Sequence, residues 1–228
     1  MKIGGLQKNS LIDFPATVAC VVFTRGCNFF CPYCHNPDLV SGSDNRAGHD
    51  PEMDEARVFS FLEKRRGLLD GVVITGGEPC LHTDLPAFCQ QIKAMGFKVK
   101  LDSNGSRPGM LKILLDKNLL DYVAMDVKTD PDQYSLVAPS QVLPETILES
   151  ISLVMDQAPD YEFRTTCARP FVSPGIMDKI GRVISGARRY ALAACTRRSD
   201  LLDPAFASAD RHFFTPEEME GLKSVASP

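Results

Sequence analysis

The sequence predicts an α/β fold, a partial (β/α)6 TIM-like barrel with parallel strands and an open lateral mouth. Short runs rich in β-branched residues alternate along the chain with longer amphipathic segments of helical period. A segment long enough to cross over the sheet separates each predicted strand from the next. Strands joined in this way pair in parallel, because antiparallel neighbours need only a tight turn. A chain of 228 residues can form such a barrel as one unit.

The individual elements follow from this alternation. Strands are predicted at residues 18–24, 71–75, 97–102, 122–126, 161–165 and 190–195. Helices are predicted near residues 54–64, 84–95, 108–118, 144–156 and 176–187, and the apolar residues of the last of these share one face. Thr215 and Pro216 supply an N-cap and a first-turn proline for a short terminal helix. Segments 25–53, 128–143 and 197–212 lack periodicity and are predicted to be loops.

The composition argues against several classes of protein. A hydrophobic fraction of 44% with 24% charged residues is ordinary for a globular protein. The longest apolar run, residues 16–24, is shorter than the roughly 20 residues that cross a bilayer, and the first residues lack a secretory signal. We therefore expect a cytoplasmic protein without a membrane partner. The net charge of −4 argues against nucleic acid as a partner, and the eight cysteines are available to metals in a reducing compartment.

Three cysteines lie close together directly after the first predicted strand. Cys27, Cys31 and Cys34 have the spacing C-x3-C-x2-C. Thiolates are the usual ligands of iron–sulfur clusters, and three thiolates on four irons leave one iron open to a further ligand. The residues alone also allow a structural zinc site of these cysteines with His35, although His35 adjoins Cys34 and is awkward to direct at the same ion.

Further polar motifs follow the next predicted strands. They are Gly76-Gly77-Glu78-Pro79, Asp102-Ser103-Asn104-Gly105, and the segment 125–128 with Asp126 and Lys128. Each one alone is compatible with an ordinary turn or helix cap. The carboxyl ends of parallel strands meet on one side of a barrel, so we expect these motifs at a common site. Arg164, on the fifth predicted strand, is either another anion partner there or part of a surface ion pair.

The cysteine spacing, with the aromatic Tyr33 before the last cysteine, resembles the hallmark of the radical S-adenosylmethionine (SAM) superfamily. The resemblance implies one 4Fe–4S cluster on the three cysteines and reductive cleavage of SAM to methionine and a 5′-deoxyadenosyl radical. A motif like residues 76–79 receives the amino group of SAM in that superfamily. In the activating enzymes of glycyl radical proteins, segments like 102–105 and 126–128 hold the ribose and the carboxylate and can bind a monovalent cation. The resemblance thus implies Ser103 and Asn104 near the ribose and Lys128 at the carboxylate.

Within the superfamily, the sequence is similar to the short activating proteins of anaerobic ribonucleotide reductase. The similar segments are residues 11–15, 34–37, 99–105 and 121–126, and the likeness extends over almost the whole chain. It implies a glycyl radical protein as partner, with a loop that enters the barrel mouth, and a flavodoxin- or ferredoxin-type electron donor. Cys80 and segment 191–198 depart from the subgroup pattern. A radical SAM enzyme acting on a purine-like small molecule is an alternative, and a zinc-binding module is a third.

The remaining expectations concern organisation and isolated residues. No linker divides the sequence, so residues 1–228 are expected to form a single domain, with 197–228 as a C-terminal extension. Asp13 is either a contact for the partner's loop or an ordinary turn aspartate. Cys20 and Cys89 are expected in the core, whereas no role is predicted for Cys167 and Cys195.

Overall fold

Seven strands form a single open sheet in the computed structural model, which describes residues 1–40, 53–197 and 201–226. The strands are β1 (Ile3–Ser10), β2 (Ala19–Thr24), β3 (Gly71–Gly76), β4 (Lys98–Ser103), β5 (Tyr122–Asp126), β6 (Tyr161–Cys167) and β7 (Tyr190–Ala194). They follow one another in chain order, and β2 to β7 are all parallel neighbours. Because β1 and β7 do not pair within the described ranges, the sheet is open. The predicted α/β fold and its six parallel strands are confirmed.

β1 is the strand that the sequence prediction lacks. It pairs antiparallel with β2 and forms one edge of the sheet. Its sequence contains two glycines and exposes Gln7, Lys8 and Asn9, so it shows neither the β-branched composition nor the alternation on which the prediction depended. Polar and charged residues suit an exposed edge, because they discourage pairing with other chains.

Helices lie between successive parallel strands and, in the case of the last two, after β7. They are α1 (Pro37–Val40), α2 (Glu55–Glu63), α3 (Leu85–Ala94), α4 (Pro108–Asp116), α5 (Pro144–Gln157), α6 (Pro174–Val183), α7 (Pro204–Ser208) and α8 (Pro216–Ala226). The predicted helices are present, with ends that differ by a few residues. The predictions of helix-free loops are wrong, because α1, α7 and a 3-10 helix at Pro131–Leu136 lie in those segments. One or two turns are too short to show a hydrophobic period. Part of the first segment, residues 41–52, lies outside the described residues.

The two faces of the sheet differ in character. Side chains alternate along each strand, and Val72, Ile74, Val99 and Leu101 belong to the main apolar core under the helices. On the other face, at the amino ends of the strands, a small second cluster includes Phe14, Ala19, Val21, Val73, Tyr122 and Ala124. This cluster fills one end of the barrel interior with apolar groups, which leaves the carboxyl ends of the strands for polar side chains.

None of the helices in the described residues has the length and apolar composition needed to cross a membrane.

Candidate active site

One cavity at the carboxyl ends of the strands brings together all but one of the predicted site residues. It is lined by Cys27, Cys31, Tyr33, Cys34, Gly76, Gly77, Glu78, Asp102, Ser103, Asn104, Asp126, Lys128 and Arg164. Pro79 does not line it and is buried at the start of a 3-10 helix, Pro79–Leu81. The cavity also has walls that the sequence analysis did not single out, formed by Phe29, Asn36, Val40, Thr75 and Thr166.

The loop between β2 and α1, residues 25–36 and here named the cysteine loop, carries the three thiols into this cavity. Cys31 is buried, and Cys27 and Cys34 are partly exposed. The Cys34 amide donates to the Cys31 carbonyl at 3.0 Å, and the Phe29 amide donates to Sγ of Cys27 at 3.4 Å. Burial raises the pKa of Cys27 to about 12 and that of Cys31 to about 11, where the charge of Lys128 works against the rise. Cys27 and Cys31 are therefore protonated at neutral pH until a metal displaces the protons.

The position of His35 weakens the zinc alternative. His35 lines the same cavity, but its Nε2 atom lies 3.4 Å from the carbonyl oxygen and 3.2 Å from the hydroxyl of Thr196, so this ring nitrogen is engaged by the residue just beyond β7. Nowhere in the described ranges do three His, Cys, Asp or Glu side chains converge as they would around a single ion. In a cluster each thiolate binds a separate iron, so three thiols spaced around one cavity suit a cluster better.

The hydroxyl of Tyr33 is a buried donor beside Cys31. Tyr33 is 2% exposed, and its ring packs against Phe171 with the centroids 5.2 Å apart. Its Oη atom has no hydrogen-bond partner among the described residues. Burial raises the pKa of Tyr33, and the neighbouring Cys31 adds to the rise. An unpaired buried hydroxyl costs about 1–3 kcal/mol, and a sulfur-rich group bound at the cysteines would offer it an acceptor.

Two glycines allow the end of β3 to approach the cysteine loop. The Gly77 amide donates to the Thr24 carbonyl at 2.9 Å, and the Glu78 amide donates to the Gly26 carbonyl at 2.8 Å. A Cβ atom on Gly77 would lie 2.1 Å from the Gly26 oxygen, and Gly76 has a φ of +114°. Larger residues cannot occupy either position without a backbone shift. Residues 76–79, here named the glycine motif, thus fix the cysteine loop against the strand ends.

The carboxylate of Glu78 joins the glycine motif to the polar motif at residues 102–105. It is fully buried and accepts hydrogen bonds from the Cys80 amide at 3.0 Å, the Ser103 hydroxyl at 2.9 Å and the Asn104 amide at 2.7 Å. Burial raises the pKa of Glu78, and these three hydrogen bonds oppose the rise. The sequence motifs predict Glu78 and Ser103 in one site, but they do not predict this bond between the two side chains.

A ring of amide and hydroxyl groups continues from β4 to the cysteine loop. Asn104 Nδ2 donates to Asn28 Oδ1 at 3.1 Å, and Asn28 Nδ2 donates to Ser106 Oγ at 2.9 Å. The Ser106 amide closes the ring by donating to Asn104 Oδ1 at 2.9 Å. Sequence reasoning missed Asn28, whose only signal was its place between two cysteines. The side chain of Asn104 therefore braces the loop that carries the thiols.

Five charged side chains form a continuous ladder across β4, β5 and β6. From one end to the other, the order of this charge ladder is Lys100, Asp102, Arg164, Asp126 and Lys128. The successive N···O distances are 2.6, 3.1, 2.9 and 2.8 Å. Every member is less than a third exposed, and Lys100, which the sequence analysis did not single out, is 2% exposed. With three cations and two anions, the ladder has an excess of positive charge.

The charge ladder holds Asp126 and Lys128 in their ionised forms. Burial opposes ionisation of Asp126, yet the charges of Arg164 and Lys128 hold its pKa well below the usual range. Burial likewise works against the charge of Lys128, but Asp126 and then Cys31 raise its pKa above the usual value. A cation at the end of a positively charged ladder, beside Cys31, suits an anionic group such as a carboxylate.

Asp13 lies at the other end of the sheet. It is in the turn between β1 and β2, at the amino end of β2, and its carboxylate accepts a hydrogen bond from the Ser10 hydroxyl. The cavity is at the carboxyl end of the same strand. The structure therefore agrees with an ordinary turn aspartate and not with a contact to a loop entering the cavity.

The chain belongs to the radical SAM superfamily. The family model described as Radical SAM superfamily matches residues 21–179, from β2 into α6. This range contains the three thiols, the glycine motif and the whole charge ladder. Membership implies a 4Fe–4S cluster and SAM as cofactors.

Individual relatives carry different names. A Methanocaldococcus jannaschii protein named provisionally as a glycyl-radical enzyme activating enzyme is 31% identical over 196 residues, 83% of this chain and 78% of that protein. The pyruvate formate-lyase-activating enzyme of Listeria monocytogenes is 28% identical over 135 residues, 56% of this chain and 53% of that enzyme. A Halobacterium salinarum protein named provisionally as a GTP 3′,8-cyclase is 32% identical over 141 residues, 60% of this chain and 38% of that protein.

A solved structure shares the fold. The Streptococcus suis protein SuiB, in its complex with the precursor peptide SuiA, has a TM-score of 0.66 with 12% sequence identity. The likeness covers 90% of this chain and 44% of SuiB. At this identity the likeness concerns the architecture alone.

Proposed function

We propose that this chain is an activating enzyme that uses SAM to install a glycyl radical on a partner protein, namely anaerobic ribonucleotide reductase. The observation that carries the proposal is the cavity in which three thiols face Lys128 and the unpaired hydroxyl of Tyr33. The relative named as an activating enzyme supports the subtype, because the likeness covers most of both chains.

The cysteine side of the cavity is the proposed cluster site. Cys27, Cys31 and Cys34 would hold one 4Fe–4S cluster, and Tyr33 would donate a hydrogen bond to a sulfur there. When bound, the cluster supplies the electron that cleaves SAM into methionine and a 5′-deoxyadenosyl radical. The protein's own contribution is to hold three cysteines in one loop that lines the cavity, with the glycine motif and Asn28 keeping that loop in place.

The opposite side of the cavity is the proposed SAM site. Lys128 would pair with the SAM carboxylate, because it is a charged side chain next to Cys31. The backbone at residues 76–79 would receive the amino group, and Ser103 and Asn104 would lie near the ribose. Glu78 holds these last two residues in position before SAM arrives, which reduces the ordering cost of binding.

The charge ladder would keep the anion-binding end of the site rigid. Arg164 bridges Asp102 and Asp126, and Asp126 in turn fixes the ammonium group of Lys128. A monovalent cation, which the family resemblance allows near residues 102–105 and 126–128, is also a proposal.

The open side of the sheet is the proposed entrance for the partner. β7 pairs only with β6 in the described residues, and Ala193 and Ala194 near its carboxyl end are small and exposed. A loop carrying a glycine could pass such a surface with little steric obstruction. We further propose a flavodoxin- or ferredoxin-type electron donor, a cytoplasmic location, and one domain over residues 1–228 in which 197–228 extend the barrel.

The test is to mix the reconstituted chain with SAM, a reductant and the anaerobic ribonucleotide reductase of the same organism, without oxygen. Electron paramagnetic resonance (EPR) should show a glycyl radical that requires all components. The Cys31→Ala variant, which lacks a proposed cluster ligand, should give none. A reductase that stays without a radical while the chain cleaves SAM would contradict this choice of partner.

A radical SAM enzyme for a purine-like small molecule is the second candidate. The relative named as a GTP 3′,8-cyclase favours it. The two functions differ in turnover, because a small-molecule enzyme should release many equivalents of 5′-deoxyadenosine when GTP or another purine nucleotide is supplied. An activating enzyme should release about one equivalent for each glycyl radical.

A further inference from the structure

We propose that residues 201–213, here named the C-terminal strap, belong to the cluster site and position Tyr33 and Cys34. This inference rests on the proposed cluster site. The strap lies beyond the residues 21–179 that the family model matches, so the family pattern assigns it no role. It contains α7 and the 3-10 helix Asp210–His212.

Two successive backbone amides of the strap bind the cysteine loop directly. The Leu202 amide donates to the Cys34 carbonyl at 3.2 Å, and the Asp203 amide donates to the Pro32 carbonyl at 3.1 Å. These two carbonyls lie on either side of Tyr33 in the chain. The strap therefore fixes the backbone of the loop at the residue before Tyr33 and the residue after it.

An aromatic cluster fixes the Tyr33 side chain as well. Phe206, 5% exposed, lies with its ring centroid 6.1 Å from that of Tyr33 and 6.2 Å from that of Phe171. On the strap itself, the ring of His212 stacks on Phe206 with centroids 4.1 Å apart and an interplanar angle of 15°. Tyr33 is thus held between a ring of the strap and a ring of the segment after β6.

The strap is anchored at both of its ends. At one end, the Leu202 and Asp203 amides hold the strap to the Cys34 and Pro32 carbonyls, and the Asp203 side chain caps α7 within the strap by accepting a hydrogen bond from the Ala205 amide at 2.9 Å. At the other end, the Arg169 amide donates to the His212 carbonyl at 2.9 Å, and the Arg169 guanidinium donates to the Phe213 carbonyl at 3.0 Å. A helix of five residues is not stable by itself, so the shape of the strap depends on docking against the barrel.

The buried side chains of the strap show what this docking achieves. Leu201, Phe206 and Ala207 are all buried, and Leu201 and Phe206 belong to the same apolar core as Cys31 and Tyr33. The strap therefore replaces solvent on the Cys34 side of the loop with apolar groups. Loss of this packing should loosen the loop before any metal is bound and expose a bound cluster to water and oxygen.

Hydrogen exchange of the metal-free chain tests the positioning role. In Phe206→Ala, amides in residues 27–36 and 201–213 should exchange at least about tenfold faster, while those of β3 and β4 keep their rates. Phe59→Ala is the matched control, because it removes a ring that packs 5.1 Å from Phe88 between α2 and α3. Phe206→Leu keeps much of the apolar volume and should show a smaller increase in exchange rate. If circular dichroism shows that Phe206→Ala does not fold, Phe206→Leu is measured in its place.

Cluster retention is the second measurement. After anaerobic reconstitution, Phe206→Ala should lose its cluster absorbance in air several times faster than the parent or Phe59→Ala. The proposal is overturned if a folded Phe206 variant leaves exchange in residues 27–36 unchanged, or if Phe59→Ala accelerates it equally. If the parent assembles no cluster, the proposed function fails, while the exchange data on the metal-free chain still decide whether the strap holds the loop.

Discussion

Replacement of Arg164 by methionine tests whether the charge ladder organises the site. Arg164 donates through Nε to Asp126 at 2.9 Å and through a terminal nitrogen to Asp102 at 3.1 Å. Methionine keeps much of the apolar volume but leaves both carboxylates without their shared partner. The Arg164→Lys variant is the matched control, because lysine keeps the charge but cannot span two carboxylates in the same planar geometry.

The expected loss of stability follows from the burial of the three groups. Breaking a buried ion pair by removing one partner costs about 3–5 kcal/mol. The side chains of Arg164, Asp126 and Asp102 are 28%, 27% and 14% exposed, so solvent and the two lysines compensate in part. We expect Arg164→Met to lower the free energy of unfolding by about 2–4 kcal/mol. Arg164→Lys should lose about half as much, since it keeps one charge-assisted hydrogen bond.

The loss should depend on pH with a defined sign. The pKa of Asp126 is depressed in the folded chain, against the effect of burial, by Arg164 and Lys128. A depressed carboxyl pKa adds stability above the pKa of the unfolded state, about 3.9, and this stability is lost as the pH falls toward the folded value. The difference in the free energy of unfolding between the parent and Arg164→Met should therefore be largest at pH 7 and should become smaller below about pH 4.

Urea unfolding of the metal-free parent and both variants at pH 7 and pH 3.5 measures these differences. Equal unfolding free energies of the parent and Arg164→Met at pH 7 would refute the structural role of the ladder. A difference in unfolding free energy that is larger at pH 3.5 than at pH 7 would refute the predicted direction of the pH dependence.

Three further substitutions test other parts of the site. Lys128→Ala should weaken SAM binding to the reconstituted chain by about tenfold or more, measured by equilibrium dialysis, and an unchanged affinity would exclude the carboxylate role. Gly77→Ala should lower the free energy of unfolding by about 2 kcal/mol or more because of the contact with Gly26, whereas Gly109→Ala, where a Cβ meets nothing within 4 Å, should be neutral or stabilising. Tyr33→Phe should leave the stability of the metal-free chain unchanged or higher, because the hydroxyl has no hydrogen-bond partner in the part of the chain that the structure describes, and should lower cluster retention. Destabilisation of the metal-free form would show a partner for that hydroxyl.

The parallel part of the fold was predictable because its signals are local. Buried strands and amphipathic helices each produce a characteristic spacing of apolar residues in the sequence. Parallel pairing then places the carboxyl ends of the strands on one side. That topology is why the motifs at Gly77, Asp102 and Lys128 could be assigned to one site. β1 and α7 could not be predicted, because an exposed edge strand and a single helical turn show no comparable periodic spacing of apolar residues.

Side chains whose role depends on distant partners could not be found from the sequence. Lys100 lies in β4 beside Val99 and Leu101, and its significance comes from Asp102 two residues later and from Arg164 on another strand. The bond between Glu78 and Ser103 likewise depends on how closely β3 and β4 approach. The sequence predicts only a loop at residues 197–212, because the contacts of the strap with the cysteine loop join residues more than 160 positions apart and leave no local pattern.

Iron analysis and EPR of the reconstituted chain test the central claim most directly. After anaerobic reconstitution, the parent should contain about four irons with matching sulfide, and the EPR spectrum of the reduced cluster should change when SAM is added. Cys27→Ala, Cys31→Ala and Cys34→Ala should each lose this response. A chain that takes up stoichiometric zinc in place of iron, or a cluster whose spectrum is indifferent to SAM, would contradict the proposed three-thiolate site with one iron open to SAM.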